Sequence, residues 1–389
     1  VVRALLDRRK APVKRALVVP IAAAAAGKPR YWSGELRVAR IFEETPDVRT
    51  FRLMREDGQP LPFEHKPGQY LNLALTIDGK RVNRSYTIAS SPTRGHYCEV
   101  TVKRSPTGHG SSHLHDRIQV DSRLKVSAPA GRFVFTGAEA GRVILLAGGV
   151  GITPLMSIIR YLTDRCWPGQ IYLLFSAKKR ADLIFADELD YLARRFPNLH
   201  VCHTLSREDA GSDWKGERGQ ITRALLTRIV PEVARGPVYL CGPDPMMAAT
   251  RTLLLEMGLP EAELKTEAFV SPAGGAAAET PEVVASALEA SAAPAPSAAS
   301  GGPGARVRFQ RSGQVADEPA GRTILETAED AGVSIPFECR SGICGQCKTK
   351  LLSGRVTMET EDALSAAEKA RGLILACQAH SVGDVTVDA

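Results

Sequence analysis

Four cysteines toward the C-terminal end carry the most specific chemistry in the chain. They are spaced Cys339-x4-Cys344-x2-Cys347 and are followed by Cys377. This spacing suits a [2Fe–2S] cluster, because each iron takes two thiolate ligands beyond its bridging sulfides. Three cysteines on one tight loop would hold the cluster from one side, and the distant fourth would close it. Gly342 and Gly345 would let that loop bend and turn backbone N–H groups toward the sulfurs. Zinc is the alternative metal, but a thiolate zinc site usually has two Cys-x2-Cys pairs and only one is present. Close-spaced cysteines in a chain this long read as a metal site in a reducing compartment, here taken as the cytoplasm, rather than as disulfides.

Three further segments have residue types suited to phosphates and flat rings. Arg84-Ser85-Tyr86-Thr87, at the end of a predicted barrel strand, offers a guanidinium and an aromatic ring, and taken alone reads as an ordinary strand. Gly108-His109-Gly110-Ser111-Ser112-His113-Leu114 follows the strand Glu99–Lys103 and offers small residues and hydroxyls. In Gly148-Gly149-Val150-Gly151-Ile152-Thr153-Pro154 the glycines allow close approach to a phosphate, Thr153 can cap a helix, and Pro154 suits its first turn. The spacing is not the G-x-G-x-x-G fingerprint, which disfavours the standard dinucleotide fold. His109, His113 and His115 are read as surface residues rather than metal ligands.

The elements that must position these segments divide the chain into five parts. Residues 1–30 form a basic extension. Residues 31–137 show short alternating strands such as Val48–Leu53 and Glu99–Lys103, broken by Pro67-Gly68 and Asp78-Gly79, which predicts a small β-barrel. In residues 138–270 apolar strands (Val143–Ala147, Ile171–Phe175, Leu199–Leu205, Val238–Leu240) alternate with helices (Leu155–Thr163, Asp187–Phe196), which predicts an open α/β domain. Residues 271–304 are Ala, Pro, Gly or Ser at 27 of 34 positions and read as a linker, in which Glu282–Ala290 could form a short helix. Residues 305–389 form a small third domain around the cysteine cluster.

The first two domains resemble the ferredoxin–NADP reductase superfamily, and the third resembles plant-type ferredoxins through its cysteine spacing, a helix over Thr323–Ala331 and Leu375-Ala376-Cys377-Gln378. The resemblance implies a multidomain α/β and β architecture: an FAD-binding antiparallel β-barrel, an open α/β nucleotide-binding domain and a C-terminal β-grasp ferredoxin domain. It implies that Arg84 meets a flavin phosphate, Tyr86 packs on the isoalloxazine, and Thr87 sits near N5, with Ser85 inside the same motif. It assigns Gly110, Ser111 and Ser112 to the FAD pyrophosphate and Gly148, Gly149, Gly151, Thr153 and Pro154 to the nicotinamide nucleotide. Cys241-Gly242-Pro243-Asp244-Pro245-Met246 matches the family's Cys-Gly-Pro-x-x-Met motif. Cys241 would then lie by the nicotinamide C4, with Gly242 and Pro243 shaping its slot. Glu267 and Phe269 resemble the family's terminal Glu-x-Phe near the reactive face. Lys178, Lys179 and Arg180 stand where the family reads the adenosine ribose and would favour a 2′-phosphate, although a solvated loop is the competing reading.

The order flavin, nucleotide, cluster resembles oxygenase-type reductases that pass electrons from NAD(P)H through FAD and [2Fe–2S], one at a time, to a separate terminal oxygenase, desaturase or similar metalloenzyme. The competing reading is a self-sufficient reductase of a quinone, ferric chelate or nitrogen oxide. The formal charge of +7 does not point to nucleic acid. Residues 1–30 hold eight Lys or Arg against one acid, whereas residues 31–304 carry 32 basic and 30 acidic residues and residues 305–389 carry 10 and 12. The basic extension could pack on the first domain, touch an anionic membrane or partner, or act as a cleaved signal.

Overall fold

The structure is a computed structural model that describes residues 32–269, except 107 and 210, and residues 305–389, except 320, 338, 339, 341, 343, 344, 359, 360 and 362. The basic extension, the expected linker with its stretch Glu282–Ala290, Cys339 and Cys344 lie outside the described residues.

Strands β1 (Trp32–Thr45), β2 (Val48–Met54), β3 (Tyr70–Ile77), β4 (Lys80–Thr87), β5 (Tyr97–Lys103) and β6 (Arg123–Ala130) form an antiparallel sheet in the order β4-β3-β6-β1-β2-β5. One residue past β4, Ile88 bridges Val100 of β5, which brings the two outer strands together and closes the barrel. Alternation fills the interior, since successive side chains on a strand point to opposite faces. Leu71, Leu73 and Leu75 of β3 meet Phe51, Leu53, Val100, Val102 and Val126 there. Helix α1 (His109–Arg117) sends Leu114 into the same core.

The second sheet comprises β7 (Arg142–Gly148), β8 (Gln170–Ala177), β9 (Leu199–Leu205), β10 (Glu217–Arg218), β11 (Val238–Cys241) and β12 (Leu264–Glu267). All neighbours pair in parallel, in the order β10-β9-β8-β7-β11-β12. Four helices are α2 (Ile152–Asp164), α3 (Ala186–Arg195), α4 (Arg223–Ile229) and α5 (Asp244–Glu256). Buried on both faces, β7 reads as a continuous apolar run. Its Val143, Leu145 and Ala147 pack with α2 and α3, while Ile144 and Leu146 pack with α4 and α5. The chain winds outward from β7 to β10 and then returns to β11 on the other flank. The carboxyl ends of β7 and β11 therefore border the switch point, where open α/β sheets hold ligands.

The barrel and this domain share one core. Val48, Ala89, Phe133 and Phe135 of the first pack with Val143, Ile159 and Tyr239 of the second, and the Tyr239 hydroxyl donates to the Val134 carbonyl at 2.6 Å. Phe135 is fully buried, worth about 1.5–3 kcal/mol.

The third domain contains β13 (Ala305–Phe309), β14 (Gln314–Glu318), α6 (Ile324–Asp330), β15 (Lys348–Ser353), β16 (Val356–Met358), α7 (Ala366–Ala370), β17 (Leu373–Leu375), β18 (Ala379–Ser381) and β19 (Val385–Val387). The main sheet runs β14-β13-β19-β15-β17, and β16 pairs with β18. Helix α6 buries Ile324, Leu325 and Ala328 against Val307, Phe309, Val385 and Val387, the grasp of a sheet around one helix. Its start is fixed by a capping box. Glu326 N–H donates to Thr323 Oγ1 at 3.3 Å, and Thr323 N–H donates to Glu326 Oε2 at 2.9 Å. Among the described residues no helix is long and apolar enough to cross a membrane.

Candidate functional site

Antiparallel pairing of β3 with β4 sets Tyr70 opposite Thr87, Leu71 opposite Tyr86, Asn72 opposite Ser85 and Leu73 opposite Arg84. Arg84 leans over the start of α1. A methyl group added at Gly110 would lie 2.9 Å from Arg84 Cγ, so glycine is what lets the arginine lie against this helix end. No side chain caps α1, so its leading amides and the guanidinium converge as a cradle for an anionic phosphate. The hydroxyls of Ser111 and Ser112 turn inward to their own loop. Ser111 Oγ donates to Gly108 O at 3.1 Å, and Ser112 Oγ donates to Ser105 O at 3.3 Å. The Ser112 N–H is already given to Gly108 O at 3.0 Å, so any backbone role toward the phosphate falls to Ser111.

Thr87 ends β4 with its Oγ1 buried and without a protein hydrogen-bond partner. A buried hydroxyl left unmatched is costly, and a polar ring atom of a bound flavin would answer it. Tyr86 is half-buried beside it, with an aromatic face for the same ring. Ser85 Oγ donates to Asn72 Oδ1 at 2.7 Å, leaving Asn72 Nδ2 as a second buried and unpartnered donor. The residues present fit a flavin.

The loops Gly148–Pro154 and Cys241–Met246 meet at the switch point. A methyl group on Gly151 would lie 2.3 Å from the Cys241 carbonyl oxygen, and one on Gly148 would lie 2.8 Å from Pro243 Cδ and against the Met246 sulfur. One on Gly242 would lie 3.0 Å from Gly148 Cα. Gly148, Gly151 and Gly242 thus serve loop-to-loop packing. A methyl group on Gly149 would meet nothing, but the residue holds φ +53°, the left-handed region that favours glycine. Thr153 does not cap α2, contrary to the sequence expectation. Gly151 occupies the cap position, and Thr153, already inside the helix, donates its hydroxyl to Val150 O at 3.0 Å. Pro154 lies in the first helical turn, as expected.

Cys241 is fully buried at the end of β11 and pairs in register with Glu267 of β12. Burial, reinforced by the Glu267 carboxylate, pushes the Cys241 thiol well above its ordinary value, so it stays protonated and is no nucleophile. Phe269 is 44% exposed, two residues beyond the strand. Past β8, Lys179 and Arg180 do not stand as an unopposed cationic patch. Asp209 lies 3.8 Å from Lys179 Nζ, Asp213 lies 3.5 Å from Arg180, and Glu208 accepts the Arg180 N–H at 2.9 Å.

In the third domain Cys347 and Cys377 are buried, with their sulfurs 3.1 Å apart. Thiol sulfurs converging in a buried site are a donor set for a shared metal centre. The loop before Cys347 turns sharply at Arg340 (φ +52°), Gly342 (φ +78°) and Gly345 (φ +71°). The Gln378 side-chain amide donates to Arg340 O at 2.9 Å and Cys377 O at 3.0 Å, tying the fourth cysteine to that loop. Cys377, Arg340 and Gln378 line one cavity with Asn72, Asn83 and Ser127 of the barrel. Sequence reasoning missed Asn72. Its only signal is a polar residue alternating with leucines in Leu71-Asn72-Leu73, which says outward but not toward what. His115, expected at the surface, is buried with Nε2 2.9 Å from Val102 O.

These features define a nicotinamide- and flavin-dependent reductase joined to a ferredoxin. Family models for an oxidoreductase FAD-binding domain, an oxidoreductase NAD-binding domain and a 2Fe-2S iron-sulfur cluster binding domain match residues 35–135, 145–252 and 307–381. The chain is 36% identical to the glycine betaine monooxygenase reductase subunit of Chromohalobacter salexigens, covering 91% of this chain and 94% of that one. It is 32% identical to the 3-ketosteroid-9-alpha-monooxygenase ferredoxin reductase component of Mycobacterium tuberculosis, covering 90% and 94%. The solved phthalate dioxygenase reductase superposes with a TM-score of 0.55 at 25% identity, covering 92% of this chain and 98% of that one. The chain belongs to the ferredoxin–NADP reductase-type oxygenase reductases that carry a C-terminal [2Fe–2S] ferredoxin domain. It is the reductase component of an oxygenase system and takes electrons from NAD(P)H through FAD and [2Fe–2S] to a terminal oxygenase.

Proposed function

We propose that the work divides among the residues as follows. Arg84 and the leading α1 amides at Gly110 and Ser111 hold the flavin's phosphates, Tyr86 walls its ring, and Thr87 offers its hydroxyl to the ring's reactive edge. The loops Gly148–Pro154 and Cys241–Pro243 form the nicotinamide slot, Glu267 and Phe269 border it, and the neutral Cys241 thiol shapes it without reacting. Cys339, Cys344, Cys347 and Cys377 hold the cluster. When bound, the flavin accepts a hydride with its electron pair from NAD(P)H, leaving NAD(P)+, and the cluster relays the electrons singly. The chain's own contribution is to bind, orient and exclude water. The partner is a terminal monooxygenase, as in the two named relatives, and the thiolate cluster favours a cytoplasmic setting.

The observation that carries this reading is the unmatched Thr87 hydroxyl at the end of β4. Thr87→Val should retain one acid-releasable FAD per chain and slow flavin reduction by up to roughly 100-fold, the scale of losing one positioned donor. An unchanged reduction rate would remove Thr87 from the site. Faster turnover with a quinone, ferric chelate or nitrogen oxide than with a one-electron protein acceptor would favour the self-sufficient reading instead.

A further inference from the structure

Helix α2 touches both halves of the proposed hydride site. Its N-terminus grows out of the Gly148–Pro154 loop, and Ser157, Arg160 and Asp164 lie along one face of it, three and four residues apart. All three reach the barrel segment that follows Thr87. Ser157 Oγ donates to Ser90 O at 3.0 Å, and Arg160 NH1 donates to Ala89 O at 2.9 Å. Asp164 accepts the Thr93 hydroxyl at 2.6 Å and pairs with Arg94 at 3.3 Å.

Arg160 is the centre of this face. It is 5% exposed and stacks 4.8 Å over Phe185. Glu188 of α3 takes its Nε and NH2 at 2.8 and 2.6 Å, and Glu99 of β5 lies 3.3 Å from NH1. Glu99 also receives Arg52 of β2 at 2.7 Å, and its backbone N–H donates to Ser90 Oγ at 3.0 Å. A buried ion network of this kind adds little net stability over apolar packing, but it admits one geometry.

We propose that Arg160 is a positioning residue for hydride transfer. By joining α2 and α3 to the barrel at Ala89 and Glu99, it fixes the nucleotide loops at the α2 N-terminus against Thr87, two residues before Ala89. The network's printed partners are protein groups, and it meets the barrel at Ala89 and Ser90, just past Thr87. This rests on the assignment of Thr87 to flavin and of Gly148–Pro154 to nucleotide.

The test compares Arg160→Met, Arg160→Lys and Ser157→Ala in the full holoprotein. All three should keep one FAD per chain and the wild-type dissociation constant for oxidised nicotinamide nucleotide, measured by difference absorbance. Stopped-flow flavin reduction at saturating NAD(P)H should slow roughly 100-fold in Arg160→Met, the scale of an ångström-sized misplacement. Arg160→Lys, which keeps the charge and a donor for Ala89 O, should fall between it and wild type. The primary deuterium isotope effect on flavin reduction should rise in both. Ser157→Ala, a mild change that decides the matter if Arg160→Met does not fold, should slow reduction several-fold. Wild-type rates and isotope effects in Arg160→Lys and Ser157→Ala would overturn the proposal. A wild-type rate in Thr87→Val would instead remove the site assignment beneath it.

Discussion

The Cys347 and Cys377 sulfurs lie 3.1 Å apart although 30 residues separate them in the chain. Helix α6 and strand β17 bring them together. Leu325 N–H donates to Ala376 O at 2.9 Å, and Ala376 N–H donates to Cys347 O at 3.1 Å. Cys377 is thus held beside Cys347 through the backbone of its neighbour Ala376.

Cys377→Ser should lose iron and labile sulfide and abolish reduction of a one-electron protein acceptor such as cytochrome c. NAD(P)H-driven ferricyanide reduction should persist near the wild-type rate, because hydride transfer uses the first two domains. Metal analysis and the two assays check this. Equal loss of both activities with FAD retained would show that the electron order is wrong.

Gly151→Ala would place a methyl 2.3 Å from the Cys241 carbonyl oxygen, which is backbone and cannot step aside. Overpacking of this kind costs about 1–3 kcal/mol. Urea unfolding should register the loss, and KM for NAD(P)H should rise as the two loops part. Gly149→Asn, at a position with φ +53° and no close neighbour, should cost less because asparagine tolerates that backbone.

His65 gives the folded state a pH dependence. Burial pushes its imidazole down to about 4 from 6.5, against a smaller opposing hydrogen bond with the Ser90 backbone, and its Nε2 has no partner. Below pH 6.5 the unfolded chain binds a proton that the folded chain refuses, so the stability contributed by neutral His65 is lost as pH falls from 6.5 toward 4. Melting temperatures of wild type and His65→Gln should converge or cross over that interval. Parallel curves would show that His65 titrates alike in both states.

Residues 271–304 have the composition of a tether, whose root-mean-square span would be about 30 Å for this length. Cutting within it should leave flavin reduction unchanged and slow cluster reduction. The separated ferredoxin domain should restore the rate in proportion to its concentration, since tethering holds it near millimolar. A cluster-reduction rate indifferent to cutting at micromolar protein, followed by stopped-flow absorbance, would point to a tight interface in place of a shuttle.

Local chemistry was legible in the chain itself. Cysteine spacing implied a cluster because ligands on one loop are set by sequence distance, and alternation in Val48–Leu53 and Glu99–Lys103 or the apolar run Val143–Ala147 announced strands. What each glycine touches was not legible. Gly148 and Gly151 looked like phosphate glycines, yet their neighbours are Pro243, Met246 and Cys241, some ninety residues onward, because β11 returns to the flank of β7. The Thr153 cap failed for a related reason, since the helix began earlier, on Gly151. Arg160 on a largely apolar helix gave no sign of its partners, because Glu99, Glu188 and Ala89 come from three separate elements. Ligand-bearing motifs are short-range patterns that a sequence records directly. The packing between elements, which decides where a buried charge goes and how two loops meet, exists only once the chain has closed on itself.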